Sequence, residues 1–307
     1  MTHASPKVFI LLLNWNGWQD TLDCLTSLTR LAYPNFETIV VDNGSENGSE
    51  EKIRAAFPDT TLLQSGANLG FAGGNNVGLK YALRQDFDFV WLLNNDTVVE
   101  PDALSRLVER TRNEPEVDMC GSTLVYHHDR DTVQAYGGGT YNQWLGLTQK
   151  LGHGRLRSEP VDAASVERKL DYIEASSLLV SRRFLATVGL MKEDYFLYYE
   201  EIDWVARAGG RFKLGYAKDS VVYHKEGASI GGSDHAKTQK SWTADYYSVR
   251  NRILITRRFF PKALPTVYLS LGGVVLNRLR RRQWRRVKMV VALALGGGNM
   301  PRAEPPL

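Results

Sequence analysis

Phe89-Val90-Trp91-Leu92-Leu93-Asn94-Asn95-Asp96 is the stretch on which the fold turns. Five consecutive apolar residues bounded by a polar turn read as a strand buried on both faces, as in a parallel sheet covered by helices. A carboxylate straight after such a strand sits at the carboxyl edge of the sheet, where open α/β folds bind their ligands. An oxygen ligand there suits a metal-bound diphosphate.

Working outward, Val8 to Leu13 is a second unbroken apolar run and ends in Asn14-Trp15-Asn16-Gly17. Trp18, Leu22, Leu25 and Leu28 then recur at helical spacing, Tyr33-Pro34-Asn35 breaks the helix, and Thr38 to Val41 is the next strand. The alternation continues through a polar helix at Ser49 to Phe57, a strand at Thr61 to Gln64, a helix from Gly74 to Arg84 and the strand Phe89 to Leu93. Strands alternating with helices predict an α/β fold with a doubly wound, mainly parallel sheet and right-handed crossovers. From Val117 to about Leu170 the period is lost, and short strands with glycine-rich loops are expected. Tyr172 to Val180 restores a strand, and a helix starts at Arg182. Three helices are expected at Trp242 to Phe260, Leu264 to Leu279 and Trp284 to Leu295. The chain thus divides into a main domain over 1–235 and a basic helical extension over 236–300.

The 307 residues, 43% of them hydrophobic, can bury a full core. The net charge of +4 is uneven: Arg278, Arg280, Arg281, Arg282, Arg285, Arg286 and Lys288 crowd into Leu276 to Val290 without an acid, so the remainder is net acidic. These cations are interleaved with Val, Leu and Trp, with no recognisable nucleic-acid-binding fold, so nucleic acid is not expected as a partner. An amphipathic basic segment of this kind instead fits an anionic membrane surface. Ala263 to Asn277 is too short and glycine-interrupted to span a bilayer, and Met1 to Lys7 is too polar for a secretory leader. Cys24 and Cys120 have neither metal spacing nor a disulfide framework. These features predict a cytoplasmic protein, peripheral on the inner face of the cytoplasmic membrane.

Four polar clusters close successive elements: Asn14-Trp15-Asn16, Asp42-Asn43-Gly44-Ser45, the loop after Gln64, and Asn94-Asn95-Asp96. In a doubly wound sheet all four face one crevice, which predicts a nucleotide site. Asn68-Leu69-Gly70-Phe71-Ala72-Gly73-Gly74-Asn75-Asn76 offers flexible backbone beside a helix start, suited to an anion. It is neither a Walker A loop nor a dinucleotide fingerprint, which disfavours kinases and dehydrogenases. Glu200-Glu201-Ile202-Asp203-Trp204 places three carboxylates within four positions, with Glu200 and Asp203 on one helical face and Glu201 on another, so that one can act as a general base. Val222-Tyr223 leads into His224, a second strand end with a potential ligand. One carboxylate and one imidazole form a sparse site that leaves positions for diphosphate oxygens on Mg2+ or Mn2+.

Asn14-Trp15-Asn16, Val40 to Ser45, Asn68 to Asn75, Leu92 to Asp96, Phe196 to Trp204 and Val222 to Gly227, in this order, resemble glycosyltransferase family 2, and within it the bacterial rhamnosyltransferase-like branch of surface-polysaccharide assembly. The resemblance spans roughly residues 7 to 258. It implies a GT-A fold, an inverting transfer from a nucleotide-diphosphate sugar (a UDP- or dTDP-sugar such as dTDP-rhamnose) and a divalent cation. It also implies a glycan or polyprenyl-diphosphate-linked acceptor. By position, Asp42 would recognise the pyrimidine base, with Asn14 and Asn68 lining the nucleotide pocket beside Asn16, Gly70 and Asn95. Asp96 and His224 would hold the metal. Asn94 stands where the family often has the first Asp of its D-x-D motif, and Glu201 where many members have the Asp of a Glu-Asp pair. Glu201 is therefore the expected base and Asp203 its reserve. A non-catalytic nucleotide-sugar-binding scaffold and a sugar nucleotidyltransferase are the rival readings; the second lacks a glycine-rich signature with basic residues after the first strand.

Overall fold

A computed structural model describes residues 5–225 and 241–297. Glu226 and Gly227 of the last motif, Gly231-Gly232-Ser233, the boundary expected at 235–236 and the last ten residues lie outside the described residues.

The chain begins β1 (Val8–Asn14), α1 (Trp18–Leu28), β2 (Phe36–Asp42), α2 (Ser49–Ala56), β3 (Thr61–Gln64), α3 (Gly70–Ala82) and β4 (Phe89–Asn94). These four strands lie parallel in the order β3-β2-β1-β4. The order reverses beside β1, and the crevice of an open α/β sheet forms at such a switch point. Because β1 is covered on both sides, its apolar run needs no alternation. Phe9 and Leu11 pack with Leu79 of α3, whereas Val8, Ile10 and Leu12 share the opposite core with Leu25 and Leu28 of α1.

The second half follows as β5 (Thr97–Val99), α4 (Ala103–Asn113), β6 (Val117–Tyr126), β7 (Val133–Tyr136), β8 (Gly138–Asn142), β9 (Leu147–Lys150), α5 (Ala163–Glu167), β10 (Tyr172–Ile173), β11 (Ser177–Ser181), α6 (Arg182–Val188), α7 (Glu200–Ala208) and β12 (Lys213–His224). Here the sheet is mixed. β11 runs antiparallel between β4 and β6, β12 lies parallel to β6, and β5 closes the edge antiparallel to β12. The sheet is therefore half parallel rather than mainly so. β8, β9 and β10 form a separate small sheet.

β6 is the largest departure from the expectation of short strands after Val117, since all ten of its residues are buried. Its pattern is masked by polar side chains that are satisfied inside the core. Asp118 accepts from Arg183 and Ser181, Ser122 meets Ser177 and Ser220, and Thr123 meets Tyr216. A strand whose polar groups find internal partners needs no hydrophobic period.

α8 (Trp242–Phe259), α9 (Leu264–Arg280) and α10 (Trp284–Ala294) complete the chain. Two of the clustered cations are structural: Arg278 and Arg286 pair with the buried Asp245 of α8 at 2.6 and 2.7 Å, tying α9 and α10 to it. Among the described residues no helix is long and apolar enough to cross a membrane.

Candidate active site

Register places the polar clusters at one edge: Asn14 lies opposite Asp42, Asp42 opposite Gln64, and Leu13 opposite Asn94. The crevice wall is held by side-chain bonds. Asn14 Oδ1 accepts from the Gly17 N–H and the Thr21 hydroxyl, its amide donates to Ser45, and the Asn95 amide donates to the same Thr21. Asn14 and Asn95 are thus engaged within the protein, shaping the loop that the exposed Asn16 continues. Asp42, fully buried, accepts from the Ser45 N–H at 2.9 Å. Asn43 binds Asn68, the Leu69 N–H and the Gly70 carbonyl.

The glycine-rich stretch is not a free loop. α3 begins at Gly70, four residues before its expected start, because Asn68 Oδ1 accepts the Gly70 N–H and Gly70 takes a φ of 71°. A Cβ on Gly74 would lie 2.5 Å from Leu13, and one on Gly78 2.2 Å from Leu11, so these glycines let the helix sit directly on β1.

After β4, Asn95 and Asp96 turn the chain into β5, where Thr97 pairs with His224. Asp96 Oδ1 consequently lies 3.2 Å from His224 Nε2. His224 Nδ1–H donates to the side-chain Oε1 of the fully buried Gln134, 3.0 Å away. That bond leaves Nε2 turned toward the carboxylate, either as an imidazolium or as a bare lone pair. In the second state an imidazole nitrogen and a carboxylate oxygen converge as donors, a pair that fits a divalent cation completed by other oxygens. Asn94 Nδ2 is 3.4 Å from the same nitrogen. Among the described residues no cluster of three or more His, Cys, Asp or Glu side chains forms.

Of the carboxylates of α7, Glu201 approaches this edge beside the turn before β11. The Asn94 N–H donates to Ser176 O at 3.1 Å, and the neighbouring Ala175 backbone lies close enough to the Glu201 carboxyl to favour its charged form. Glu201 keeps some solvent contact, yet burial, reinforced by the nearby Glu174 carboxylate, raises its carboxyl to about 7. Glu200 is 1% exposed, and neither of its oxygens has a hydrogen-bond partner among the described residues. Burial first, and Glu201 second, push its carboxyl well above the usual carboxylate range. Asp203 differs: fully buried, it accepts from Arg207 at 2.6 Å, Arg258 at 2.9 Å and the Tyr195 hydroxyl at 3.0 Å.

The turn leading into α7 is strained. Phe196, Tyr198 and Tyr199 have φ values of 64°, 70° and 74°, each costing about 1–3 kcal/mol for a non-glycine residue. Gln134 and the residues that restrain this turn were not legible from the sequence. Gln134 lies in the region without period, and its only signal would have been a polar residue between Val133 and Ala135 in a buried strand.

A Rossmann-like half-sheet with an Asp-His pair and an acidic helix beside its edge fits the GT-A class of nucleotide-sugar transferases. The profile of glycosyl transferase family 2 matches residues 9–162, half of the chain, which belongs to that family and is a glycosyltransferase. A low-salt glycan biosynthesis hexosyltransferase of Haloferax volcanii is 23% identical over 92% of this chain and 84% of its own. An N-acetylglucosaminyl-diphospho-decaprenol L-rhamnosyltransferase of Mycobacterium tuberculosis is 26% identical over 87% and 92%. In structure the chain resembles the Pyrobaculum calidifontis mannosyltransferase solved with GDP-Man and Mn2+, with a TM-score of 0.57 and 15% identity over 98% of this chain and 78% of that one.

Proposed function

We propose that this protein transfers a sugar, with inversion, from a nucleotide-diphosphate donor to a polyprenyl-diphosphate-linked glycan in polysaccharide synthesis. One observation carries the reading. The end of β4 meets both chemistries: Asp96 faces His224 at 3.2 Å, and the Asn94 N–H bonds Ser176, whose neighbour Ala175 lies beside the Glu201 carboxyl. Asp42, Asn16, Asn68 and Gly70 line the nucleotide side, with Asn14 and Asn95 holding the wall behind them. Asp96 and His224 would hold Mg2+ or Mn2+, which supplies positive charge to the departing diphosphate. Glu201 removes a proton from the acceptor hydroxyl as that oxygen attacks the anomeric carbon from the face opposite the diphosphate. Asp203, tied to two arginines, orients α7 rather than serving as base.

The rhamnosyltransferase among the relatives supports dTDP-rhamnose as the donor to try first. Thermal shift with UDP- and dTDP-sugars, with and without Mn2+, tests base and sugar together. A rise in melting temperature that needs both nucleotide and cation is expected. A shift with neither, alongside no transfer from any labelled donor, would overturn the reading.

The extension supports residence at an anionic membrane surface. Leu269, Leu276, Trp284 and Leu295 are exposed on α9, α10 and just beyond, as are Arg280, Arg281, Arg282, Arg285 and Lys288. Each cation near such a surface is worth about 1 kcal/mol. Full-length protein is expected to pellet with anionic vesicles, and a variant with Arg280, Arg281 and Arg282 changed to Glu to pellet several-fold less. Equal pelleting of the two, or none of either, would refute this placement.

A further inference from the structure

We propose that Asn251, in the middle of α8, is a positioning residue for catalysis: its amide holds the strained turn before α7 in the conformation that sets Glu201 against the Ala175 turn. The inference rests on Glu201 being the base.

Asn251 is fully buried, and its Nδ2 donates to the carbonyls of Tyr195 at 2.7 Å, Leu197 at 2.7 Å and Tyr198 at 3.1 Å. Its Oδ1 accepts from Arg250 at 2.7 Å, which fixes the amide with its nitrogen toward the turn. Two N–H groups thus serve three carbonyls, the arrangement expected where a backbone folded into left-handed geometry gathers its oxygens toward one point. Asparagine is a poor residue for a helix interior, and α8 makes no use of this side chain for its own backbone. The position is explained by the turn it faces.

The consequences run directly into α7. Tyr199, at φ 74°, immediately precedes Glu200, so relaxation of the turn rotates the first residues of the helix and moves Glu201 with them. The opposite side of the turn is anchored by the glycine-rich segment. The Phe71 N–H donates to Phe196 O at 2.6 Å, and a Cβ on Gly70 would lie 2.4 Å from that same oxygen. Asn76 of α3 binds both the N–H and the carbonyl of Met191. The turn is held between the donor-side helix and α8, where Asn251 bonds its carbonyls while Tyr247 stacks on Phe196 and Arg250 bonds the Asp194 carbonyl. Elsewhere on α8, Arg258 bonds Asp194 and Asp203 and thereby orients α7 as a body, whereas Asn251 acts on the turn itself.

The test uses the full-length chain carrying Asn251→Ala, Asn251→Asp and Asn251→Ser, with Glu201→Gln as reference. UDP and dTDP binding with Mn2+, kcat, KM and the pH profile of kcat are measured for each. Folded Asn251→Ala and Asn251→Asp are expected to bind nucleotide within about threefold of the native protein while kcat falls by about 10²-fold, the scale of a base displaced by about 1 Å. Their acid limb should also move away from that of the native enzyme, because the surroundings of Glu201 change. Asn251→Ser, which keeps one donor, should fall between and carries the test if the other two do not fold. Native kcat in any folded variant lacking the amide, or a kcat lowered only in proportion to the folded fraction, would overturn the inference. If Glu201→Gln itself turns over normally, the base assignment fails instead, and the two failures are distinguished.

Discussion

Glu201→Gln is expected to bind the donor nucleotide as the native protein does and to turn over about 10²- to 10⁴-fold more slowly, the contribution typical of a general base. Glutamine preserves the shape and the Ala175 contact but cannot take a proton. The same carboxyl sets the pH dependence. With its ionisation near 7, native kcat should rise about tenfold per pH unit below that value and level off above it. The stability of the variant gives an independent check. A carboxyl raised on folding from the ordinary value near ~4.3 favours the neutral form. Its favourable contribution is complete below pH ~4 and is lost as pH rises through about 7. Glu201→Gln should therefore melt with the native protein at pH 4 and above it at pH 8. Asp203→Asn should behave in the opposite way, losing about 3–5 kcal/mol of stability because Arg207 and Arg258 are left facing a neutral group. Normal turnover in Glu201→Gln, with a dead but stably folded Asp203→Asn, would move the base two residues along.

Asp96→Ala and His224→Ala are each expected to abolish Mn2+-dependent donor binding and to lower turnover by at least about 10²-fold, since the pair provides two protein ligands at most and neither can be spared. Gln134→Ala, which frees the far side of the imidazole, should weaken cation affinity by about 10- to 100-fold while leaving the ligands in place. Titrating activity with Mn2+ in a chelator-treated preparation measures all three. Full activity in EDTA, or normal turnover in Asp96→Ala, would sink the metal assignment.

The apolar runs of β1 and β4, the helical period of Trp18 to Leu28 and the residues closing each strand were enough to establish the α/β class. They also establish that Asn14, Asp42 and Asn94 share an edge, because a parallel strand covered on both faces leaves a local and unambiguous pattern. Motif order likewise singled out Asp96, Glu201 and His224, and the fold brings Asp96 and His224 to within 3.2 Å of each other. What local pattern could not carry was decided by partners distant in sequence. β6 is a central strand only because Asp118, Ser122 and Thr123 find Arg183, Ser177 and Tyr216 across the fold. The glycines near Asn75 are packing residues rather than a loop because Leu11 and Leu13 lie beneath them. Asp203 is paired inside the fold because Arg258 arrives from α8, 55 residues later. Gln134 bonds His224 and Asn251 bonds three carbonyls of the turn before α7, all far along the chain, and a lone amide side chain leaves no periodic trace. The sequence alone therefore determined which strands end in polar clusters at one edge, through short-range burial and spacing. Only the tertiary structure decided how each charge and amide is paired, since pairing depends on which residues meet in space.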